Sequence, residues 1–88
     1  MEPKAVEPPT YRALDSSVGR VIQVHQRLRF VVLDYTLSRM PGPGTKLLLY
    51  RTNGIVGSLK MSPWTAPYTA AADFVEGTPE IGDEARPE

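Results

Sequence analysis

KLLLYRTNGIVGSLKMS, residues 46–62, is the stretch whose reading decides the fold. Two runs rich in Leu, Ile, Val and Tyr flank Asn53-Gly54, the dipeptide that best tolerates the two positive φ angles of a type I′ turn, so the stretch reads as a β-hairpin. With Asn53 and Gly54 as the two-residue loop, Thr52 faces Ile55, Tyr50 faces Gly57, Leu48 faces Leu59 and Lys46 faces Met61. Period-two alternation then gives one expected core face of Leu48, Tyr50, Ile55, Leu59 and Met61, with Tyr50 over the bare backbone of Gly57. The other face is mixed and carries Leu47, Leu49, Arg51, Val56, Ser58 and Lys60. A half-wet antiparallel hairpin of this kind belongs to a small sheet or barrel.

Downstream, Pro63-Trp64-Thr65-Ala66-Pro67 is expected to break the sheet, with Trp64 plugging one end of a barrel in preference to standing exposed as an anchor, since a large aromatic in a small domain is normally buried. Tyr68 to Val75 alternates with Tyr68, Ala70, Ala72 and Phe74 on one side and reads as a strand. Glu76-Gly77-Thr78-Pro79 turns the chain, Ile81 to Ala85 adds a last short strand or ends the fold, and Arg86-Pro87-Glu88 is expected to fray. Upstream, Gly19 to Val24 reads as a first strand. Val21 and Val24 differ in parity, so either one is half-exposed or a bulge lies between them. His25-Gln26-Arg27 makes a polar turn, and Leu28 to Asp34, apolar on both faces, reads as a central strand. Tyr35 to Thr45 carries Pro41, Gly42, Pro43 and Gly44 and is a loop. The expected organisation is therefore a Pro-rich disordered lead-in over residues 1–17, a small all-β barrel of five to six strands over 18–85, and a frayed tail over 86–88.

A chain of 88 residues makes one small domain, which buries too little surface to be more than marginally stable alone, and association would add stability. The absence of cysteine excludes disulfides and thiolate sites. Charge is zero overall but unevenly laid out: residues 1–17 carry a net −1, residues 18–72 a net +6 with Asp34 as the lone acid, and residues 73–88 a net −5. No apolar run approaches the ~20 residues that cross a bilayer, and MEPKAVEPPTYRALDSS lacks the basic start and apolar stretch of a signal peptide. The chain as given is expected to be soluble, with a cell-envelope context if it is a domain excised from a longer, exported protein.

The inventory for catalysis is thin. His25 is the sole histidine, so no histidine cluster can hold a metal, and beside Gln26 and Arg27 it reads as an exposed spectator. No GxSxG, GxGxxG or GxxxxGK[ST] pattern occurs, and Asp34 and Asp73 would pair as acid and base only by coincidence of fold. No catalytic residue, cofactor, metal or small-molecule substrate is therefore expected. Two binding readings remain. A protein partner or self-association would use an open strand edge or the long loop, with Tyr35, Arg39, Met40 and Trp64 as contact residues. Single-stranded nucleic acid would instead use Arg20, Arg27, Arg29, Arg51 and Lys60 interleaved with Phe30, Tyr35, Tyr50 and Trp64. Against the second reading, Phe30 and Tyr50 are expected in the core, and a neutral chain is atypical of dedicated nucleic-acid binders.

The succession GRVIQV, FVVLD, LYRTNGIVGSLKMS, AAADFVEG and GDEA resembles a small bacterial SH3-like β-barrel module, that of the C-terminal domain of flagellar assembly protein T and related bacterial chains. The resemblance covers about residues 19–85. It implies close backbone approach at Gly19, Gly57 and Gly82, core roles for Tyr50 and Leu59, and an envelope or assembly context without catalytic residues. Ala85 departs from the larger apolar residue of that pattern, and PGPGT replaces a plainer glycine turn. A non-enzymatic interaction or assembly module is the function this reading expects.

Overall fold

A computed structural model describes residues 17–52 and 54–88. The disordered lead-in expected over residues 1–17 falls, apart from Ser17, outside the described residues, as does Asn53 of the expected turn. Six strands follow in order: β1 Gly19–His25, β2 Phe30–Asp34, β3 Lys46–Arg51, β4 Gly54–Thr65, β5 Thr69–Gly77 and β6 Glu84–Pro87. All pairings are antiparallel, and the order β1-β2-β5-β4-β3-β6 closes back on β1 to form a barrel. Every strand has a ladder partner on both sides. Among the described residues the open edge expected for partner binding is therefore absent, because closure pairs the backbone groups that an edge strand would present.

The interior is filled by complementary sizes. Leu47, Leu49, Leu59 and Met61 come from β3 and β4, while Ala70, Ala72 and Ala85 come from β5 and β6, with Val21, Val31, Leu33 and Tyr35 completing the core. The small side chains come from β5 and β6, on opposite sides of the ring, and leave the volume that the large ones of β4 and β3 between them occupy. Ala85 suits this arrangement: it is fully buried, opposite Gly19 on β1 and Leu49 on β3. On β2, Val31 and Leu33 point inward while Phe30 and Val32 are half-buried on the outer side, so this strand is one-sided and not central as expected.

The hairpin forms, but its register differs from the expected one. Arg51 pairs with Gly54 and Tyr50 with Ile55, and the positive φ of 55° falls on Thr52, not Gly54. A bulge between Leu49 and Tyr50 leaves Leu49 opposite Gly57, Leu48 opposite Ser58 and Leu47 opposite Leu59. A one-residue shift exchanges the faces of a strand. Leu47 and Leu49 are therefore buried, Leu48 and Tyr50 lie outside, and Ile55 is 58% exposed. Leu59 and Met61 keep their expected place in the core. Gly57 faces Gly77 of β5, not Tyr50: a Cβ on Gly57 would lie 2.5 Å from the carbonyl oxygen of Glu76, and Gly77 itself has a φ of 89°.

Of three further expectations, one holds and two change. The bulge between Val21 and Val24 is present at Val21/Gln23, with Val21 buried and Val24 packed against the core. β4 runs through Pro63 and Trp64 instead of ending at Ser62. Its pairing with β5 skips from Met61 to Thr65, so the missing N–H of Pro63 breaks no ladder bond. At the C-terminus, Arg86 and Pro87 pair with Leu48 and Leu47, and the Glu88 N–H donates to the Lys46 carbonyl at 3.0 Å. The segment expected to fray is the strand that closes the barrel.

The observed register makes a direct prediction. Leu49→Ala should cost about 3 kcal/mol of unfolding free energy, while Leu48→Ala should cost about 1 kcal/mol or less, as measured by urea denaturation of both variants. The expected hairpin faces would reverse that order.

Candidate interaction surface

The charged side chains divide between the two ends of β1. At the end where β1 begins, Arg51 continues the row of Leu47 and Leu49 and meets Asp83, whose side chain is 2% exposed. Nε donates to Oδ1 at 2.7 Å and Nη2 donates to Oδ2 at 2.8 Å, a bidentate pair. Nη2 also donates to the Thr78 carbonyl at 2.8 Å, and the Glu80 N–H donates to Asp83 Oδ2 at 2.8 Å. The main chain of the same loop is joined to β1 by the Val21 N–H to the Asp83 carbonyl and the Gly82 N–H to the Val21 carbonyl. Gly82, with a φ of 99° and no atom near its would-be Cβ, serves this turn by conformation and not by close approach as expected. Arg20 and Arg86 both reach Glu84, at 3.8 and 2.7 Å, and Arg86 covers the ring of Tyr50 at 4.6 Å.

Burial pushes the Asp83 carboxyl up. The hydrogen bonds from Arg51 and the Glu80 backbone, together with the Arg51 charge, outweigh burial and hold it below the ordinary aspartate value. A depressed carboxyl stabilises the fold fully above its unfolded value near pH 4, and that contribution is lost as pH falls through the lower folded value. Asp83→Asn should therefore cost about 2 kcal/mol at neutral pH, less than a fully buried pair because Arg51 is a third exposed. It should also flatten the acid limb of the stability profile measured from pH 6 to pH 2.

Tyr35, expected as a contact residue, is 2% exposed and lies against Gly19, where a Cβ would come within 2.6 Å of its ring. Among the described residues its hydroxyl donates to the Met61 Sδ at 4.0 Å, and burial raises its pKa to about 12. Stability is then full below the unfolded tyrosine value near pH 10 and falls as pH rises toward 12. Tyr35→Phe should keep the ring packing and remove that alkaline loss, as read by thermal unfolding at pH 9 and pH 11. Met40 is half-buried and packed against the core, while Arg39 is exposed. The loop holding them is tied to β4 by Gly44 N–H to Met61 carbonyl and Met61 N–H to Thr45 carbonyl bonds of 2.8 and 2.9 Å, which makes it a connector.

Of the four expected contact residues, Trp64 is the prominent one. It is 77% exposed, not a plug, and its backbone N–H donates to the buried Ser62 Oγ at 3.1 Å. Together with Leu28, Phe30, Ala71 and Asp73 it lines a recess of about 410 Å³ on the outer face of β2, β5 and β4. Leu28 is 74% exposed and also lines a second recess of about 580 Å³ with His25, Gln26 and Arg27. His25 is half-buried, not exposed as expected: its ring stacks on Phe30 at 4.4 Å and 13°, and its Nε2 lies 2.9 Å from Gln23 Oε1. Leu28 and His25 are contacts that the sequence does not single out, and Phe30 enters there only in the nucleic-acid reading, as a residue expected in the core. The signal available was the adjacency of a long apolar residue to a turn.

The five cations proposed for nucleic acid do not gather on one face. Arg20 and Arg51 belong to the ion-paired end, Arg27 and Arg29 to the β1–β2 turn, and Lys60 to the outer face of β4 opposite Asp73. Among the described residues, no group of three His, Cys, Asp or Glu side chains could hold a metal ion, and no helix is long and apolar enough to cross a membrane. No protein family, curated protein or solved structure matches this chain.

Proposed function

We propose that this chain is a non-enzymatic interaction or assembly module whose partner seats on the outer face around Leu28, Phe30 and Trp64. The observation that carries the proposal is the exposure of Leu28 and Trp64 across one recess. Two large apolar side chains held in water beside each other lose hydration free energy that a partner would recover, and a recess gives such a partner an anchor point. The bacterial assembly context belongs to the same proposal and rests on the resemblance of the strand and turn pattern to the flagellar assembly module alone. A second reading, single-stranded nucleic acid, gains from one observation: Phe30 and Trp64 face outward instead of filling the core.

Trp64 is the only tryptophan and so reports on its own site. Free protein should emit as a solvated indole, quenched readily by iodide. Occupation of the recess should shift the emission to the blue and suppress quenching, and Leu28→Ser should abolish that response while leaving the denaturation midpoint unchanged. A Trp64 emission that is already shielded in the monomer would refute the proposal.

A further inference from the structure

Resting on that proposed surface, we infer that its partner is an acidic polypeptide segment carrying an apolar anchor. The argument is the unequal treatment of charge at the two ends. At the Asp83 end, Arg20, Arg51 and Arg86 stand against Glu80, Asp83 and Glu84, each arginine within 4 Å of a carboxylate. Next to the recess, Arg27 and Arg29 flank Leu28 in the β1–β2 turn and Lys60 stands opposite Asp73 on β4; all three are exposed, and among the described residues none of the three has a carboxylate within that distance. Arg29 lies over the ring of Phe74 at 5.2 Å. Asp73, in the recess wall, is paired in register with Phe30 on one side and Lys60 on the other. Positive charge therefore outweighs negative among these residues, whereas each arginine of the Asp83 end meets a carboxylate.

The arrangement places apolar surface in the middle and positive charge on the rim. Rim charges of one sign select a partner of the opposite sign and set its orientation, while a central apolar contact supplies the affinity. Asp73 would repel an acidic group at the centre, so the partner's apolar side chain lies there and its carboxylates lie toward Arg27, Arg29 and Lys60. A nucleic-acid strand fits less well: one ring face of Phe30 is already covered by His25, and aliphatic Leu28 occupies the middle of the platform.

Fluorescence anisotropy with the full chain tests this directly. The probes are a short labelled Glu/Asp peptide with a central Leu-Phe pair, the same peptide with Gln and Asn for its acids, the acidic peptide with Ser-Ser at its centre, and labelled oligo-dT and oligo-rU. The acidic Leu-Phe peptide should bind best, weakening about tenfold in Arg27→Gln/Lys60→Gln and with added salt. Asp73→Asn should tighten it severalfold, an effect no purely structural role for Asp73 would give. Equal binding of the neutral Leu-Phe peptide would overturn the acidic partner and leave the apolar surface standing. Tighter binding of either oligonucleotide, weakening linearly in log salt, would overturn it in favour of nucleic acid. Binding of none of the probes, with Trp64 emission unchanged throughout, would overturn both this inference and the surface it rests on.

Discussion

Asp83 is a carboxylate almost wholly removed from water, and the barrel closes around the way its charge is satisfied. An unpaired carboxylate at that depth would be strongly disfavoured. Here Arg51 supplies two donors from β3, the Glu80 backbone supplies a third, and the Asp83 carbonyl takes the Val21 N–H of β1. The residue therefore links three parts of the chain that are far apart in sequence. β6 begins immediately after it, held between β1 and β3, with Ala85 turned into the core. Without this fixed point, a four-residue strand with two pairs to β1 would have little to hold it in the ring.

Size complementarity follows from closure. A six-stranded ring of short strands encloses a narrow interior, and its contents must alternate between large and small. The alanines of β5 and β6 are the small half of that arrangement, and the leucines of β3 with Leu59 and Met61 the large half. Backbones also approach closely on the β4–β5 wall, where Gly57 meets Gly77. The same constraint explains the outer face. With the interior filled by aliphatic side chains and Tyr35, many large residues lie outside, Phe30, Trp64 and Leu28 among them, and the recess these three line is a by-product of a small core. What distinguishes that recess from ordinary exposed apolar surface is its neighbours Arg27, Arg29 and Lys60, which have no carboxylate within 4 Å among the described residues.

The chain thus spends its opposite charges unevenly. Its acids are concentrated after residue 72, and the fold brings three of them against three arginines at the Asp83 end. Electrostatic pairing there serves closure. The basic residues of the β1–β2 turn and Lys60 receive no such partner within the described residues, and their field remains available to another molecule.

Composition and local pattern by themselves determined the all-β class, the positions of the strands to within a few residues, the loop at Pro41 to Gly44, the bulge after Val21 and the inward row of Ala70, Ala72, Leu59 and Met61. These are signals carried by neighbours in sequence: alternation, breakers and turn residues. Tertiary structure alone decided the faces of β3, the exposure of Trp64, the burial of Tyr35 and the ordering of Arg86 to Glu88. Leu47, Leu48 and Leu49 put leucine on both faces of β3, so alternation could not choose between them. Arg51 on the row of Leu47 and Leu49 argued for solvent, whereas the fold supplies a buried carboxylate, 32 residues away in sequence, to receive it. That pairing, like the ring closure it secures, is a contact between distant residues, and local sequence carries no record of which distant residues will meet.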